Sequence, residues 1–151
     1  MRLGLADDVL LLAVDDGARY RTRGSVGIVL SGALLAEAVF AGAPDPLGVV
    51  AGARRRRRLA GLVVQHADDS LGHVASRLRA AGAIAPVTSK VLGVFPRHGY
   101  ALLDGAPAWH AAQRLRSALT PGATPDPATA TLAVLCAVSG IARSVAPPPG
   151  R

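Results

Sequence analysis

Apolar runs spaced for helices alternate with short polar or glycine-containing breaks along most of the chain. The first run, residues 7–14, predicts a helix with Asp7 as its N-cap, and the turn residues at 15–17 predict its end. Residues 17–24 are basic and bounded by glycines, so we expect a loop or a short edge strand there. Residues 25–42 predict a second helix, capped by Ser25 and ended by Gly42. This helix is apolar on nearly every face, which favours a central, buried position.

The periodicity changes in the second half of the chain. Residues 70–82 place apolar side chains at helical spacing, with Ser70 as a possible cap and Gly82 at the end. Residues 87–95 contain β-branched and alternating apolar residues, and residues 100–104 return after a turn at 96–99, which predicts a β-hairpin.

Two further helices are predicted after the hairpin. The first, residues 106–119, is amphipathic, with Trp109 and Leu115 on its inner face. The second is capped by Asp126, begins at Pro127 and is expected to run to about residue 145. The fold class predicted is mainly α, with helices packed around a central hydrophobic helix and one β-hairpin on an edge. We expect a single domain over residues 1–146, followed by a disordered tail at 147–151.

Composition supports a helical core. Of the 151 residues, half are apolar but only 3% are aromatic, so Leu, Val and Ala must build the interior. Segments that are rich in Ala and Leu favour helix over strand. The net charge of +7 indicates an anionic partner, either nucleic acid or a membrane surface. Nearly all the basic charge is arginine, a bias that GC-rich coding also produces.

Cys136 is the only cysteine, so an intrachain disulfide is excluded and a reducing compartment is favoured. Aspartates at 7 and 8 interrupt any early apolar core, so we expect no signal peptide. The longest apolar stretch, residues 26–40, is shorter than the about 20 residues that a membrane-spanning helix needs. Any membrane contact is therefore expected to be peripheral, from the cytoplasm.

Candidate chemistry is sparse. Asp7 and Asp15 stand two helical turns apart, which separates their carboxylates by about 12 Å, too far to share a metal ion. His66 and His73 are seven residues apart, whereas helical metal ligands are spaced by three or four. Glu37 is the only charge in its helix, and we expect it to face the rim or an arginine. We therefore expect no catalytic residue, no metal and no cofactor, and predict that the protein is not an enzyme.

The strongest electrostatic feature is an uninterrupted run of five arginines. Like charges repel, so this run should be solvated, either as a plain surface segment or in contact with phosphate groups. Aromatic side chains that could stack on bases are missing nearby, which favours lipid over nucleic acid. The run comprises Arg54, Arg55, Arg56, Arg57 and Arg58.

Several stretches together resemble the Golgi phosphoprotein 3 family in its bacterial, here shortened, form. "LADDVLLLAVDD" resembles the family's acidic–leucine motif, and "GALLAEAVFAG" resembles the glycine-led helix that follows it. "RLRAAGAI", "VLGVFPRHGYALLD" and "PDPATATLAVLCA" resemble a later helix end, the hairpin and a C-terminal helix. The resemblance implies a mostly helical fold with an edge hairpin. It also implies a cytosolic, peripheral membrane protein that binds phosphatidylinositol 4-phosphate through a basic pocket.

The residues of that pocket do not carry over. The family's tryptophan and three arginines align with Thr22, Ser31, Asp68 and Leu71. The basic residues that could instead face anionic lipid are the arginine run and four other arginines. Three residues of the hairpin are expected to insert into the membrane. The four other arginines are Arg21, Arg23, Arg77 and Arg79; the inserting residues are Val94, Phe95 and Tyr100.

Three alternatives follow for function. The first is binding to an anionic phospholipid membrane, with phosphatidylinositol 4-phosphate as the ligand implied by the resemblance. The second is a member that binds only other proteins, including further copies of itself. The third, which we regard as disfavoured, is non-specific nucleic-acid binding through the arginine run.

Overall fold

A computed structural model describes residues 3–15, 19–21, 25–42, 61 and 63–145. The described part is mainly helical, with two small antiparallel sheets of two strands each, which confirms the predicted fold class. The predicted tail at 147–151 lies outside these ranges. The helices are α1 (Leu5–Ala13), α2 (Val26–Phe40), α3 (Ala67–Ala80), α4 (Gly105–Ala118), α5 (Pro127–Ser139) and α6 (Ile141–Val145), and the strands are β1 (Val14–Asp15), β2 (Arg19–Tyr20), β3 (Ile84–Val91) and β4 (Phe95–Leu102).

The helix enclosed on all sides is α1. All nine of its residues are buried, and α2, α3, α4 and α5 all pack against it. The prediction that α2 is the central buried helix is not confirmed, because α2 buries one side and leaves Phe40 half exposed. An apolar helix does not have to be buried, because apolar atoms make up much of any protein surface.

The start of α1 differs from the prediction. Gly4 is the N-cap, and Asp7 is the third helical residue rather than the cap. The Asp7 carboxylate accepts a hydrogen bond from the backbone N–H of Gly4 at 2.8 Å, so it satisfies one of the N–H groups that the first turn leaves open. Asp7 therefore helps to begin the helix, as expected, but from inside it and with its side chain buried.

Helix ends follow the local sequence closely. Gly42 and Gly82 adopt φ values of +68° and +71°, the left-handed conformation expected of them at helix C-termini. Asp126 caps α5 by accepting from the N–H groups of Ala128 and Thr129, and Pro127 is the first helical residue. The helix does not run on to residue 145, because Gly140 at φ +88° separates α5 from α6.

Helix α3 begins three residues before its predicted cap. Ser70 therefore lies inside the helix, where its hydroxyl oxygen is 2.7 Å from that of Ser31 on α2. The two helices approach closely here: a Cβ on Gly27 would come within 2.2 Å of the carbonyl oxygen of Ala67. Only glycine fits at that contact, so Gly27 sets the distance between α2 and α3.

Strands β3 and β4 form the predicted hairpin, but with a different turn. Val91 pairs with Phe95, so the turn is Leu92-Gly93-Val94, and the prediction of a turn at 96–99 is wrong. Pro96 instead lies within β4. A two-stranded ribbon tolerates proline where its missing N–H would have faced outward.

The buried face of α4 also contains fewer large side chains than predicted. Leu115 is fully buried together with Ala111, but Trp109 is more than half exposed and lies edge-on to His110. Ala111 and Leu115 are the buried residues of α4, and α4 packs against α1.

Candidate membrane-binding surface

The hairpin turn exposes three apolar side chains. Leu92 is 88% exposed, Val94 74% and Phe95 65%, and all three lie at the turn that joins β3 to β4. Isolated apolar residues are ordinary on protein surfaces, but an adjacent group of this size marks a contact with another apolar phase or partner. We call these three residues the hairpin tip.

Two exposed cations lie directly behind the hairpin tip. Lys90 is opposite Pro96, and Arg97 is opposite Ser89. Because side chains alternate along a strand, Lys90 and Arg97 project from opposite faces of the ribbon. At about 3.3 Å per residue they lie roughly 7–10 Å behind the turn, a spacing that suits an apolar tip with cations at phosphate level.

The structure separates Tyr100 from the hairpin tip. Tyr100 is opposite Pro86, about 20 Å along the strand from Val94 at the usual rise per residue, and it packs against the core. Of the three residues predicted to insert, Val94 and Phe95 are therefore brought together and Tyr100 is not. Leu92 was missed, although the isolated Gly93 interrupts the strand pattern and so marks an irregularity there.

A groove of about 450 Å³ runs along the base of the hairpin. His98 and Thr88 form its polar wall, with His98 Nδ1 3.2 Å from Thr88 Oγ1. Burial, and to a smaller degree the neighbouring Tyr100, raise the pKa of Tyr20, so its phenol remains a hydrogen-bond donor. The groove is lined by Tyr20, Leu71, Pro86, Val87, Thr88, His98, Gly99 and Tyr100.

Two of the arginines predicted to contact lipid are paired within the chain. Arg21 Nη2 lies 3.0 Å from Asp15 Oδ1. Arg77 Nε donates to Asp7 Oδ1 at 2.8 Å, and its Nη2 lies 3.8 Å from Glu37 Oε1. Glu37 thus faces an arginine, as predicted.

The other arginines of the predicted site are more dispersed. Arg79 is exposed on α3. Arg23 and residues 54–58 lie outside the described residues. The structure therefore brings none of the predicted arginines into one described pocket, and the cations it does place near the hairpin tip, Lys90 and Arg97, were not predicted.

The buried first turn of α1 holds a second group of charges. Asp8 pairs with Arg114 of α4, and Arg114 Nη2 also donates to Thr129 Oγ1 of α5 at 3.2 Å. Burial raises the pKa of Asp8 to about 6, because the attraction of Arg114 only partly offsets it and Asp7 and Glu37 add repulsion. Glu37 Oε1 also accepts from the backbone N–H of Ala6 at 2.8 Å. These pairs join α1 to α2, α3, α4 and α5, and their role is structural.

The described ranges also contain one cysteine, Cys136, which is buried. Burial, reinforced by the nearby charge of Asp8, raises the pKa of the Cys136 thiol to about 12, which keeps it protonated and unreactive. Within the described ranges, His, Cys, Asp and Glu form no group of three that could hold a metal ion. None of the helices in those ranges has the length and apolar character needed to cross a bilayer.

A comparison with protein-family models gives one match. The model described as Golgi phosphoprotein 3 (GPP34) matches residues 44–151 of this chain. The chain belongs to the Golgi phosphoprotein 3 family. The match includes the hairpin and the helices from α3 onward, whereas α1 and α2, which carry two of the motifs that suggested the family, lie before it. Among curated proteins and among solved structures, no significant match to this chain is found.

The positions of the family's lipid pocket can be placed in the structure. Ser31 is buried against Ser70, Asp68 is exposed, and Leu71 lines the hairpin groove. Thr22 lies outside the described residues. The alignment with the family pocket remains a prediction, and it would put a hydroxyl, a carboxylate and an apolar side chain where the Golgi phosphoprotein 3 family has arginines.

Proposed function

We propose that this protein binds peripherally to anionic phospholipid membranes, including those that contain phosphatidylinositol 4-phosphate, and that it acts as a binding module rather than an enzyme. Membership of the Golgi phosphoprotein 3 family supports this function. The observation that carries it is the exposed hairpin tip with Lys90 and Arg97 behind it. We place the protein at the cytoplasmic face of a membrane.

The energies fit weak, reversible binding. Transfer of a large apolar side chain from water to hydrocarbon is worth about 1.5–3 kcal/mol when it is complete. Each cation next to anionic lipid adds about 1 kcal/mol. Three tip residues and two cations thus contribute several kcal/mol in favour of binding before the cost of association is subtracted, and the cationic part falls with salt.

Recognition of a particular headgroup would depend on the groove. A phosphate placed beside Leu71 would meet the imidazole of His98 and the hydroxyls of Thr88 and Tyr100, not an arginine. These groups donate hydrogen bonds but supply less charge than the arginines of the family pocket. We therefore expect the preference for phosphatidylinositol 4-phosphate over other anionic lipids to be small.

Vesicle flotation tests both parts of the proposal. The vesicles contain phosphatidylcholine alone, or with phosphatidylinositol 4-phosphate or phosphatidylserine at matched surface charge, at low and physiological salt. We expect flotation with both anionic vesicles, weakened by salt, and little with the neutral ones. Failure to float with any anionic vesicle would refute membrane binding. Equal flotation with both anionic lipids would leave membrane binding intact and refute only the preference for the phosphatidylinositol 4-phosphate headgroup.

A matched pair of variants tests the hairpin tip. Val94→Glu places a charge where the tip would enter hydrocarbon, and flotation should fall at least fivefold. Val64→Glu makes the same change at a valine that is 59% exposed and outside the hairpin, and flotation should be unchanged. Equal losses in both variants would mean that added negative charge, and not the hairpin tip, controls binding.

Replacing Arg54–Arg58 with serine separates lipid from nucleic acid. If the run assists membrane binding, flotation should fall and become less sensitive to salt. A salt-sensitive gel shift with arbitrary DNA that is lost in the same variant would instead favour the nucleic-acid alternative.

A further inference from the structure

A polar cleft lies between the end of α4 and the start of α5, and it shares no residue with the hairpin groove. Its volume is about 620 Å³, within the range of about 300–1,000 Å³ that small-molecule sites occupy. The last two turns of α4, the connection that follows it and the first turn of α5 form its walls. Its polar lining residues are Gln113, Arg114, Ser117, Thr124, Asp126 and Thr129.

A series of hydrogen bonds holds the polar groups of the cleft in place. Arg114 pairs with the buried Asp8 of α1, and its Nη2 donates to Thr129 Oγ1 at 3.2 Å. The backbone N–H groups of Ala128 and Thr129 both donate to Asp126 Oδ1 at 3.1 Å. The first turn of α5 is thus capped by its own aspartate, so binding in the cleft would depend on its side chains and not on an open helix end.

The cleft is close to neutral, although the chain carries a net charge of +7. The charge of Arg114 is matched by Asp8, and the exposed Asp126 adds a negative charge beside the positive end of α5. Hydrogen bonds from Thr129 lower the pKa of Asp126, so its carboxylate stays ionised. An anion would be repelled by Asp126, and a cation would be repelled by Arg114. A neutral polar ligand therefore suits the cleft best.

Several hydrogen-bonding groups of the cleft remain open to a ligand. The Arg114 side chain is 42% exposed, and its bonds to Asp8 and Thr129 engage two of its five N–H groups. A carboxylate can accept about four hydrogen bonds, so Asp126 can accept from a ligand as well as from α5. The Ser117 hydroxyl can donate or accept. We propose that this cleft binds a neutral ring-shaped small molecule with neighbouring hydroxyl groups, such as a free sugar or the ribose of a nucleoside.

Trp109 offers such a ligand an apolar platform. It lies one helical turn before Gln113, so both side chains are on the same side of α4. It is 55% exposed, and its ring lies edge-on to that of His110. One face of a sugar ring is lined by C–H groups and the base of a nucleoside is flat, so either can stack on an indole ring. A ligand that fills the cleft and extends by one turn along α4 would reach Trp109.

Amide NMR of the isotope-labelled full chain, without vesicles, tests the proposal. The probes are glucose, maltose and uridine, each added up to 50 mM. We expect saturable shifts at cleft residues such as Ser117 and Thr124, with a Kd on the order of 1 mM because the cleft is open to solvent. The larger probes, maltose and uridine, should also shift the indole signal of Trp109, the only tryptophan of the chain. Whichever of these two binds more tightly identifies the ligand as a sugar or a nucleoside.

Matched variants and matched probes test how the ligand is recognised. Asp126→Asn keeps a side chain that can cap α5 but removes the ionised acceptor, so binding should weaken at least fivefold. Asp104→Asn makes the same change at the exposed aspartate that caps α4, where Asp104 Oδ1 accepts from the Ala106 N–H at 2.9 Å, and binding should be unchanged. 2-Deoxyglucose and 2′-deoxyuridine each lack one of the neighbouring hydroxyls, and they should bind at least fivefold more weakly than glucose and uridine.

Four results would overturn the proposal. They are an absence of saturable shifts with all three probes, deoxy probes that bind as tightly as their parents, equal affinities in Asp126→Asn and Asp104→Asn, or tighter binding of inorganic phosphate than of the neutral probes. Circular dichroism melting of each variant excludes unfolding as the cause. Vesicle flotation is measured separately, and Asp126→Asn should float like the wild type, so this proposal and membrane binding can fail independently.

Discussion

Helix α1 and the hairpin tip differ in which side chains they bury and which they expose. Helix α1 buries two aspartates, whereas the hairpin tip exposes a leucine, a valine and a phenylalanine. Both arrangements are costly in isolation. In α1 the cost is offset within the chain, in full or in part, because each carboxylate has an arginine partner on another helix; at Asp8 burial still outweighs the attraction of Arg114.

At the hairpin tip no comparable offset exists among the described residues. Leu92 remains 88% exposed, and the strands behind it form a two-stranded ribbon without a further layer over the turn. The difference teaches how to separate structural from functional residues here. A costly group that is paired inside the chain maintains the fold, whereas one that is left unpaired indicates a binding partner outside it.

The largest effect is expected at Arg77, which pairs with the buried Asp7 and the partly buried Glu37. Arg77→Met removes the partner of both acids, and we expect about 3 kcal/mol of lost stability, at the lower end of the range for buried pairs because the Arg77 side chain is 39% exposed whereas that of Asp7 is 3% exposed. Arg79→Met, two residues along the same helix at an exposed position, should change stability by less than about 0.5 kcal/mol. Urea denaturation of both variants measures the difference.

Similar small losses in the two variants would contradict the structural role of the α1 charges. The Arg77 pair would then be an ordinary surface contact, and Arg77 would return to the set of arginines available to lipid. Vesicle flotation of Arg77→Met provides the complementary reading, because a purely structural arginine should leave binding by the folded protein unchanged.

A smaller effect is expected from the titration of Asp8. Its pKa in the folded state is about 6, above the ordinary value of 3.8, so the folded protein holds the proton more tightly than the unfolded chain. This contribution to stability is present below about pH 4 and is lost as pH rises through 6. Its upper limit is about 3 kcal/mol, since one pKa unit is worth about 1.4 kcal/mol, and solvent around Arg114 reduces it.

Asp8→Asn isolates this contribution. Between pH 4 and pH 6.5 the unfolding free energy of the wild type should fall relative to that of the variant. Asp126→Asn is a control of opposite sign, because hydrogen bonds from Thr129 and Ala128 lower the pKa of Asp126 and its contribution is lost as pH falls. Parallel pH curves for wild type and Asp8→Asn would contradict the raised pKa.

Local signals predicted much of the fold. The Asp126-Pro127 start of α5 and the glycines that end α2 and α3 act within one helical turn, so the sequence alone was sufficient to place them. The existence of the hairpin followed from strand alternation. Its turn did not, because Pro-Arg-His-Gly has the composition of a turn, whereas the pairing of Val91 with Phe95 depends on packing of the hairpin base.

The roles of Asp7 and Asp8 could not be predicted in the same way. Their arginine partners are 70 and 106 residues away in the chain, so a local sequence pattern cannot predict these pairs. The spacing argument set Asp7 and Asp8 apart from Asp15, but it treated the two aspartates as helix-end residues. Likewise, apolar composition predicted burial for α2, and only tertiary packing determined that α1 is the enclosed helix.

The smallest effect is expected at the hairpin turn, where conformation and function oppose each other. Leu92 has φ +55°, a left-handed conformation that costs most residues about 1 kcal/mol and that asparagine tolerates better. Leu92→Asn should therefore raise stability by about 0.5 kcal/mol, since an 88% exposed side chain contributes little packing. The same change should weaken vesicle flotation several-fold, because one tip residue no longer enters hydrocarbon.

Val94→Asn sharpens this prediction. It removes a similarly exposed apolar side chain, but Val94 is not in the left-handed conformation, so binding should fall without a gain in stability. Thermal melting and flotation of the two variants give four values to compare. If Leu92→Asn proves less stable than the wild type, Leu92 is packing against the protein itself, and the contrast between a satisfied α1 and an unsatisfied hairpin tip is lost. If it is more stable and still floats normally, the strained leucine serves some purpose other than contact with the membrane.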